Sequence, residues 1–316
     1  MSAASSPSVA QTAARGMSRL INVKEDFGPE NGRILCAELE AGNILYFPRT
    51  PFDFPEDDVR FLLTRKQTDT AFHKNIAYRP AVDRLTGIED STGPDVERLR
   101  SIVSGYSQHS AKFLDQLLTP YTGKWKLDYA SYRPLEERGR PARLRARNDL
   151  PHVDAFPTRP TNGDRILRLF TNLNPIQNRV WITSQTFDVL APRFAKAIGL
   201  PGRQSNNPLA QVYRSLAQAM QLPGANRSPY DEFMHNCHNA MKENAEFQEN
   251  CPKQRWEFPP QSTWIVFTDF VSHAVLEGQY ALEQTFIISR DAMVRPEVSP
   301  LKILEGLTGY PLTKSN

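Results

Sequence analysis

NDLPHVDAFPTRPTNGDRILRLFTNLNP runs from Asn148 to Pro175 and holds the most informative pattern in the chain, the triplet His152-Val153-Asp154. Residues two apart on an extended strand project to the same side, so an imidazole and a carboxylate at this spacing can converge on one point. They are two thirds of the 2-His-1-carboxylate set that holds non-haem Fe(II) and leaves coordination positions open. With 6 His and 35 acidic residues in 316, chance supplies roughly 0.7 such triplets, so the context has to carry the reading. Pro151 and Pro157 bracket a short extended segment suited to a sheet edge. A turn at Pro160–Gly163 leads into Arg165–Leu173, a strand by alternation. One face carries Leu167, Leu169, Thr171 and Leu173; the other carries Ile166, Arg168, Phe170 and Asn172. An Arg and an Asn on a half-buried face need polar partners, which an anionic ligand would supply.

Composition sets the outer limits. A 40% hydrophobic content supports a real core, and residues 18–316 read as a single domain behind a small, polar, disordered N-terminus over 1–17. The 25 prolines favour many turns over long helices. A net charge of +3 is too mild to imply nucleic acid, but it tolerates an anionic small molecule or membrane surface. Cys36, Cys237 and Cys251 form no Cys-x-x-Cys motif and no closed disulfide set, which indicates a reducing compartment. The N-terminus has no apolar signal core, and no run approaches the ~18 apolar residues of a spanning helix. These features describe a cytoplasmic protein, peripheral to a membrane at most, with no obligate protein partner evident.

Along the chain, Ile34–Leu39 and Asn43–Phe47 read as two strands around Ala41-Gly42. Pro55 opens a helix with acids in its first turn and Arg65-Lys66 at its basic end. The basic residues Arg65, Lys66, Lys74, Arg79 and Arg84 read as a solvated face, or else as a surface for an acidic partner. The longest helix runs from about Thr92 to Leu118 and should cover a sheet; its His109 reads as structural or solvated. Lys126–Pro134 and Ala142–Asn148 are predicted strands. Tyr129, Ser131 and Arg133 share a face of the first. Arg143, Arg145 and Arg147 share a face of the second, either an exposed edge or a row aimed at carboxylates or phosphates.

Arg179–Ser184 is a further strand, and residues 187–258 form a helical insertion. Inside it, His235, Cys237, His238 and Cys251 look like a zinc set, but the spacing suits a packed helix better. Trp264–Thr268 is a short buried strand. Val271 starts the next, and Gly278-Gln279 marks a hairpin into Leu282–Ile288. His273 lies 121 positions after His152, on a late strand. A jelly roll places its first and last strands side by side, so His273 is the candidate third ligand.

His152–Pro157, Arg165–Pro175 and Thr268–Phe286, together with Ser131–Pro134, resemble the Kdo 3-hydroxylases, Fe(II)/2-oxoglutarate-dependent dioxygenases of lipopolysaccharide biosynthesis. The resemblance implies a mainly β fold with an α layer: a double-stranded β-helix (jelly roll, cupin-like) under a helical N-terminal cover. It implies hydroxylation of C3 of Kdo in a Kdo-containing lipid A precursor, giving Ko. It also implies Fe(II) held by His152, Asp154 and His273, with 2-oxoglutarate and O2 as co-substrates and succinate and CO2 released. Many relatives hold the distal carboxylate of 2-oxoglutarate with an Arg about ten positions after the last His, where this chain has Glu283. Arg168 is then the first candidate and Arg290 the second. Asn172 would help orient the co-substrate, and Arg133 and the Arg145 row would serve it or the carboxylate of Kdo. Two alternatives stay open: the same chemistry on another anionic small molecule or a protein side chain, and a non-enzymatic jelly roll that binds sugar or lipid.

Overall fold

The computed structural model describes residues 15–23, 28–68, 75–89, 92–202 and 227–313. The alternating stretch after the His-x-Asp triplet becomes β6 (Arg165–Asn172), near the middle of an eight-stranded sheet. That sheet runs β1 (Leu20–Asn22), β2 (Ile44–Phe47), β9 (Thr263–Phe267), β6, β11 (Ala281–Ile288), β5 (Trp125–Arg133), β3 (Ile76–Arg79) and β4 (Arg84–Thr86). Only β1–β2 is parallel. A second sheet has the order β10 (Val271–Glu277), β7 (Arg179–Thr186) and β8 (Gln254–Phe258). Trp181 of β7 joins the two layers. Its ring lies 4.7 Å from that of Phe170 on β6 and 5.5 Å from that of Trp264 on β9, both edge-on. Burial of such rings dominates the energetics of a core.

The long helix α3 (Pro94–Leu117) covers the larger sheet as expected. Phe113 packs edge-on to Phe47, and the Tyr106 hydroxyl lies 3.1 Å from that of Thr171. With α1 (Pro29–Glu40), α2 (Glu56–Leu63), α4 (Phe187–Ile198), α5 (Pro229–Glu243), α6 (Ala245–Asn250) and α7 (Pro300–Thr308), the molecule is mixed α/β rather than mainly β.

Several expectations need correction. Ile34–Leu39 lies in a helix, not a strand. Pro29 opens it, and Leu35, Cys36 and Leu39 recur at helical spacing on its buried face. Residues 142–148 form no strand; a 3-10 turn, Leu144–Ala146, stands there instead. No strand pairs with it, and its cations are taken locally, Arg145 by Glu243 and Arg147 by Asp149. Strand β8 begins at Gln254, so β structure resumes before the expected end of the insertion at 258. The N-terminal segment 1–17, expected to be disordered, mostly lies outside the described residues, and the Gly16 carbonyl accepts a hydrogen bond from the Thr186 amide at 2.8 Å.

The predicted hairpin at Gly278 is instead a crossing between sheets, since β10 pairs with β7 and β11 pairs with β5 and β6. Gly278 has φ +119°, and a Cβ there would stand 3.0 Å from the Cα of Arg179. Only glycine tolerates that approach.

Three basic residues of 60–84 find partners within the chain. Arg60 takes Glu56 and Asp57, Arg65 takes Asp95, and Arg79 lies over the Tyr129 ring. Lys74 lies outside the described residues, as does the part of the predicted helical insertion over 203–226.

Candidate active site

The segment with the triplet adds itself to the smaller sheet. His152 and His273 form an antiparallel bridge in which each amide donates to the other's carbonyl, at 3.1 and 2.9 Å. Two residues on, the Asp154 amide donates to the Thr268 carbonyl at 2.7 Å. Side chains 121 positions apart in sequence therefore meet. His152 Nε2 lies 3.7 Å from Asp154 Oδ1, His273 Nε2 lies 3.8 Å from Asp154 Oδ2, and the two imidazole centres are 4.9 Å apart.

The tautomers suit a metal. Nδ1 of His152 lies 2.7 Å from the Leu150 carbonyl, and Nδ1 of His273 lies 2.9 Å from that of Val271. A carbonyl only accepts, so each Nδ1 carries the proton and each Nε2 keeps a lone pair. Trp181 stacks on the His273 ring at 5.3 Å and fixes its plane. Burial pushes both imidazoles below their ordinary 6.5, His152 well below. Burial alone would raise the Asp154 carboxyl, but Arg168 and the two histidines hold it well below 3.8. Neutral imidazoles and an ionised carboxylate are the metal-binding protonation states. Asp154 Oδ2 is buried and accepts no hydrogen bond among the described residues, although Arg168 Nε stands 3.3 Å away. A buried carboxylate with one orphaned oxygen, beside two imidazole lone pairs, is the donor set for a hard-to-borderline divalent cation.

A fourth group comes close. His152, Asp154 and His238 offer ligand atoms all within 4.8 Å of one another. His238 belongs to α5, where its Nδ1 is held 2.7 Å from the Val153 carbonyl, and its ring meets that of His152 edge-on at 4.8 Å. The competition for third place is thus between His273, fixed by strand pairing, and His238, delivered by a helix.

These groups line a cavity of about 380 Å³. Tyr129, Ser131 and Arg133 of β5 enter it together, as their shared face predicts, and so do Arg168 and Phe170 of β6. Glu283 is buried between two cations: Arg133 Nη2 donates to it, and Arg168 Nη1 lies 3.2 Å from its other oxygen. Burial alone would raise the Glu283 carboxyl, but Arg133 and Arg168 lower it. The Nε donors of both arginines are buried and make no hydrogen bond among the described residues. Arg145 reaches the cavity edge, but its guanidinium pairs with Glu243.

Two candidates lie elsewhere. Arg290 donates to the Asn162 carbonyl at 2.8 Å, outside the cavity lining. Asn172 donates to the carbonyls of Gln177 and Phe258 and accepts from the Asn174 amide, so it closes a turn rather than meeting a ligand. Its distance along β6 explains this, because the face it shares with Arg168 runs out of the cavity after Phe170.

A family profile described as 3-deoxy-D-manno-oct-2-ulosonic acid (Kdo) hydroxylase matches residues 22–311. The chain belongs to the Kdo hydroxylase family. The structure of the Kdo hydroxylase KdoO, a non-heme Fe(II) alphaketoglutarate dependent dioxygenase, in complex with alphaketoglutarate and Fe(III) superposes with a TM-score of 0.81 at 33% identity. That match covers 94% of this chain and 99% of the other. The same enzyme in complex with cobalt(II) superposes at 0.82 with 34% identity, over 94% and 98% of the two chains. No curated protein sequence matches the chain. As a Kdo hydroxylase, the protein is an Fe(II)/2-oxoglutarate-dependent dioxygenase, and the two sheets form a jelly-roll type core.

Sequence reasoning missed what the insertion contributes to this Kdo hydroxylase. His238 and Lys242 lie four apart on α5 and both line the cavity. The (i, i+4) spacing put them on one helix face, but nothing in the sequence said that this face turns to the site. Cys237 and Cys251 are buried free thiols, as a packed helix requires.

Stitching of α5 to the 145–162 segment sets that orientation. Asp231 closes a capping box with Ser228 and also accepts from the Thr161 and Asn162 amides at 2.8 and 3.0 Å. Further along, Gln248 donates to the Pro151 carbonyl at 2.9 Å.

Proposed function

We propose that the protein hydroxylates C3 of Kdo in a Kdo-containing lipid A precursor, with iron held by His152, Asp154 and His273. The observation that carries this is the paired exchange between His152 and His273, which brings two imidazole lone pairs to the Asp154 carboxylate, one near each oxygen. The fold that serves it is a double-stranded β-helix.

When bound, ferrous iron supplies activation of O2 coupled to oxidation of 2-oxoglutarate to succinate and CO2. The chain's own share is geometry and charge. Arg168, with Arg133 beside it, is the cation for the distal carboxylate of 2-oxoglutarate, because both guanidiniums stand in the cavity lining beside the proposed iron ligands. Glu283 keeps the two guanidiniums from repelling each other before the co-substrate arrives. Phe156, Phe170, Trp181 and Val275 give the apolar wall that excludes water.

A lipid-linked acceptor agrees with the cavity's surroundings. Arg143, Leu144 and Arg145 are exposed beside its edge and offer basic and apolar contacts to an anionic membrane surface, which would place the protein peripherally at the cytoplasmic face. No helix among the described residues is long and apolar enough to cross a membrane.

The test is anaerobic addition of Fe(II) and 2-oxoglutarate, followed by mass spectrometry of the aerobic product. A metal-to-ligand charge-transfer band and one added oxygen at C3 of Kdo are expected. No band in folded protein, or oxygen on another carbon, overturns the proposal.

A further inference from the structure

We infer that Lys242 is the cation that holds the carboxylate of the Kdo substrate and thereby sets C3 against the iron; this rests on the function proposed above. Lys242 is 3% exposed and lines the cavity from α5, together with Arg133 of β5 and Arg168 of β6. It forms no ion pair among the described residues, and its ammonium donates to the Arg145 carbonyl at 3.0 Å. An ammonium has three donors, so this contact leaves donors for a ligand. Burying a cation without an anionic partner is costly, and that cost is offset when a ligand brings the anion. Burial pulls the Lys242 ammonium down to about 8, while Asp154 and Asp149 act to raise it.

The charge of the cavity wall points the same way. Arg145 and Arg159 are matched outside the lining, by Glu243 and Asp128. Within the lining, Arg133, Arg168 and Lys242 then face Asp154 and Glu283, an excess of one positive charge, and behind it Glu137 is shared among Arg133, Arg140 and Arg179. Ferrous iron adds two positive charges and 2-oxoglutarate two negative ones, so the excess of one persists in the loaded site. A substrate with a single carboxylate neutralises it.

Kdo is 3-deoxy-D-manno-oct-2-ulosonic acid. Its acid carbon is C1, so the carboxylate is attached to C2, the immediate neighbour of the deoxygenated C3. A cation that grips this carboxylate next to the metal ligands fixes the carbon to be oxidised, whatever the rest of the acceptor is. Lys242 shares the cavity lining with His152, Asp154 and His273, so a ligand it holds lies in the same space as the proposed metal site.

The test compares a Kdo glycoside with its methyl ester, by calorimetric binding to wild type and to Lys242→Met, each loaded with Co(II) and 2-oxoglutarate. Methionine keeps the length and apolar stem of lysine. The expected result is a ~10–100-fold preference of the wild type for the acid, lost in Lys242→Met while the ester binds both equally. The 2-oxoglutarate charge-transfer titration with Fe(II) should be the same for both proteins. Equal binding of acid and ester by the wild type overturns the inference. So does a variant that keeps the preference, or one whose defect is in 2-oxoglutarate affinity. Lys242→Arg should restore part of the preference. If the wild type shows no charge-transfer band, the proposed iron site fails, and the acid-versus-ester comparison on metal-free protein still decides Lys242.

Discussion

His152 and His273 exchange two backbone hydrogen bonds, so the strand pairing that builds the smaller sheet also brings two ligand side chains together. His238 reaches the same point by a different route, from a helix. The two histidines separate by mutation. His273→Ala is expected to abolish tight Co(II) or Fe(II) binding, whereas His238→Ala should retain it. Metal stoichiometry after dialysis is the measurement, and the reverse pattern would move the third ligand to α5.

Arg168 stands between Asp154 and Glu283 at 3.3 and 3.2 Å. Arg168→Ala should weaken 2-oxoglutarate binding by ~2–5 kcal/mol, because the carboxylate would lose a charge-assisted partner in a buried site. An unchanged charge-transfer titration would pass the role to Arg133. Glu283→Ala should act on the fold instead. Leaving two buried guanidiniums without their shared anion is expected to cost about 3–5 kcal/mol, read from urea unfolding.

Asp231 ties the start of α5 to the turn after the triplet. Asp231→Ala removes the N3 half of the capping box, leaving the Ser228 N-cap in place, and also strips two loop amides of their acceptor. A lower melting temperature and weaker binding of the Kdo substrate are expected together, with 2-oxoglutarate affinity kept. Loss of stability alone would show that α5 holds its place without this contact.

Both candidate ligand imidazoles are held below 6.5 by burial. Between the folded and unfolded values the unfolded chain binds more protons, so stability rises with pH there. The contribution is present above 6.5 and is lost as pH falls toward the folded value. Metal-free protein should therefore lose up to about 1.4 kcal/mol per histidine for each pH unit in that window. Urea midpoints at several values below pH 7 would show it, and His152→Ala/His273→Ala should flatten the curve.

Much of this centre could be read before any coordinates. Prolines bracketed the triplet, alternation set Arg168 and Phe170 on one face of β6, and the parity of Tyr129, Ser131 and Arg133 held in β5. These are local, period-two signals. What escaped depends on contacts far apart in sequence. Arg143, Arg145 and Arg147 alternate like a strand, but among the described residues no strand pairs with them; a 3-10 turn stands there, and carboxylates take Arg145 and Arg147. Gly278 looks like a hairpin turn, and only its approach to Arg179 shows that the chain changes sheets there. The aim of α5 is written in Asp231 and two backbone amides, which leave no periodic trace.

The side chains proposed to hold iron and 2-oxoglutarate hang on the sheets and on the segment bridged to them, while His238 and Lys242 arrive on a helix inserted between β7 and β8. Oxidant and grip are therefore separately replaceable parts. Exchanging the insertion for one with a different face would redirect the same catalyst to a new molecule, so selectivity can drift in evolution, or be redesigned, without rebuilding the engine.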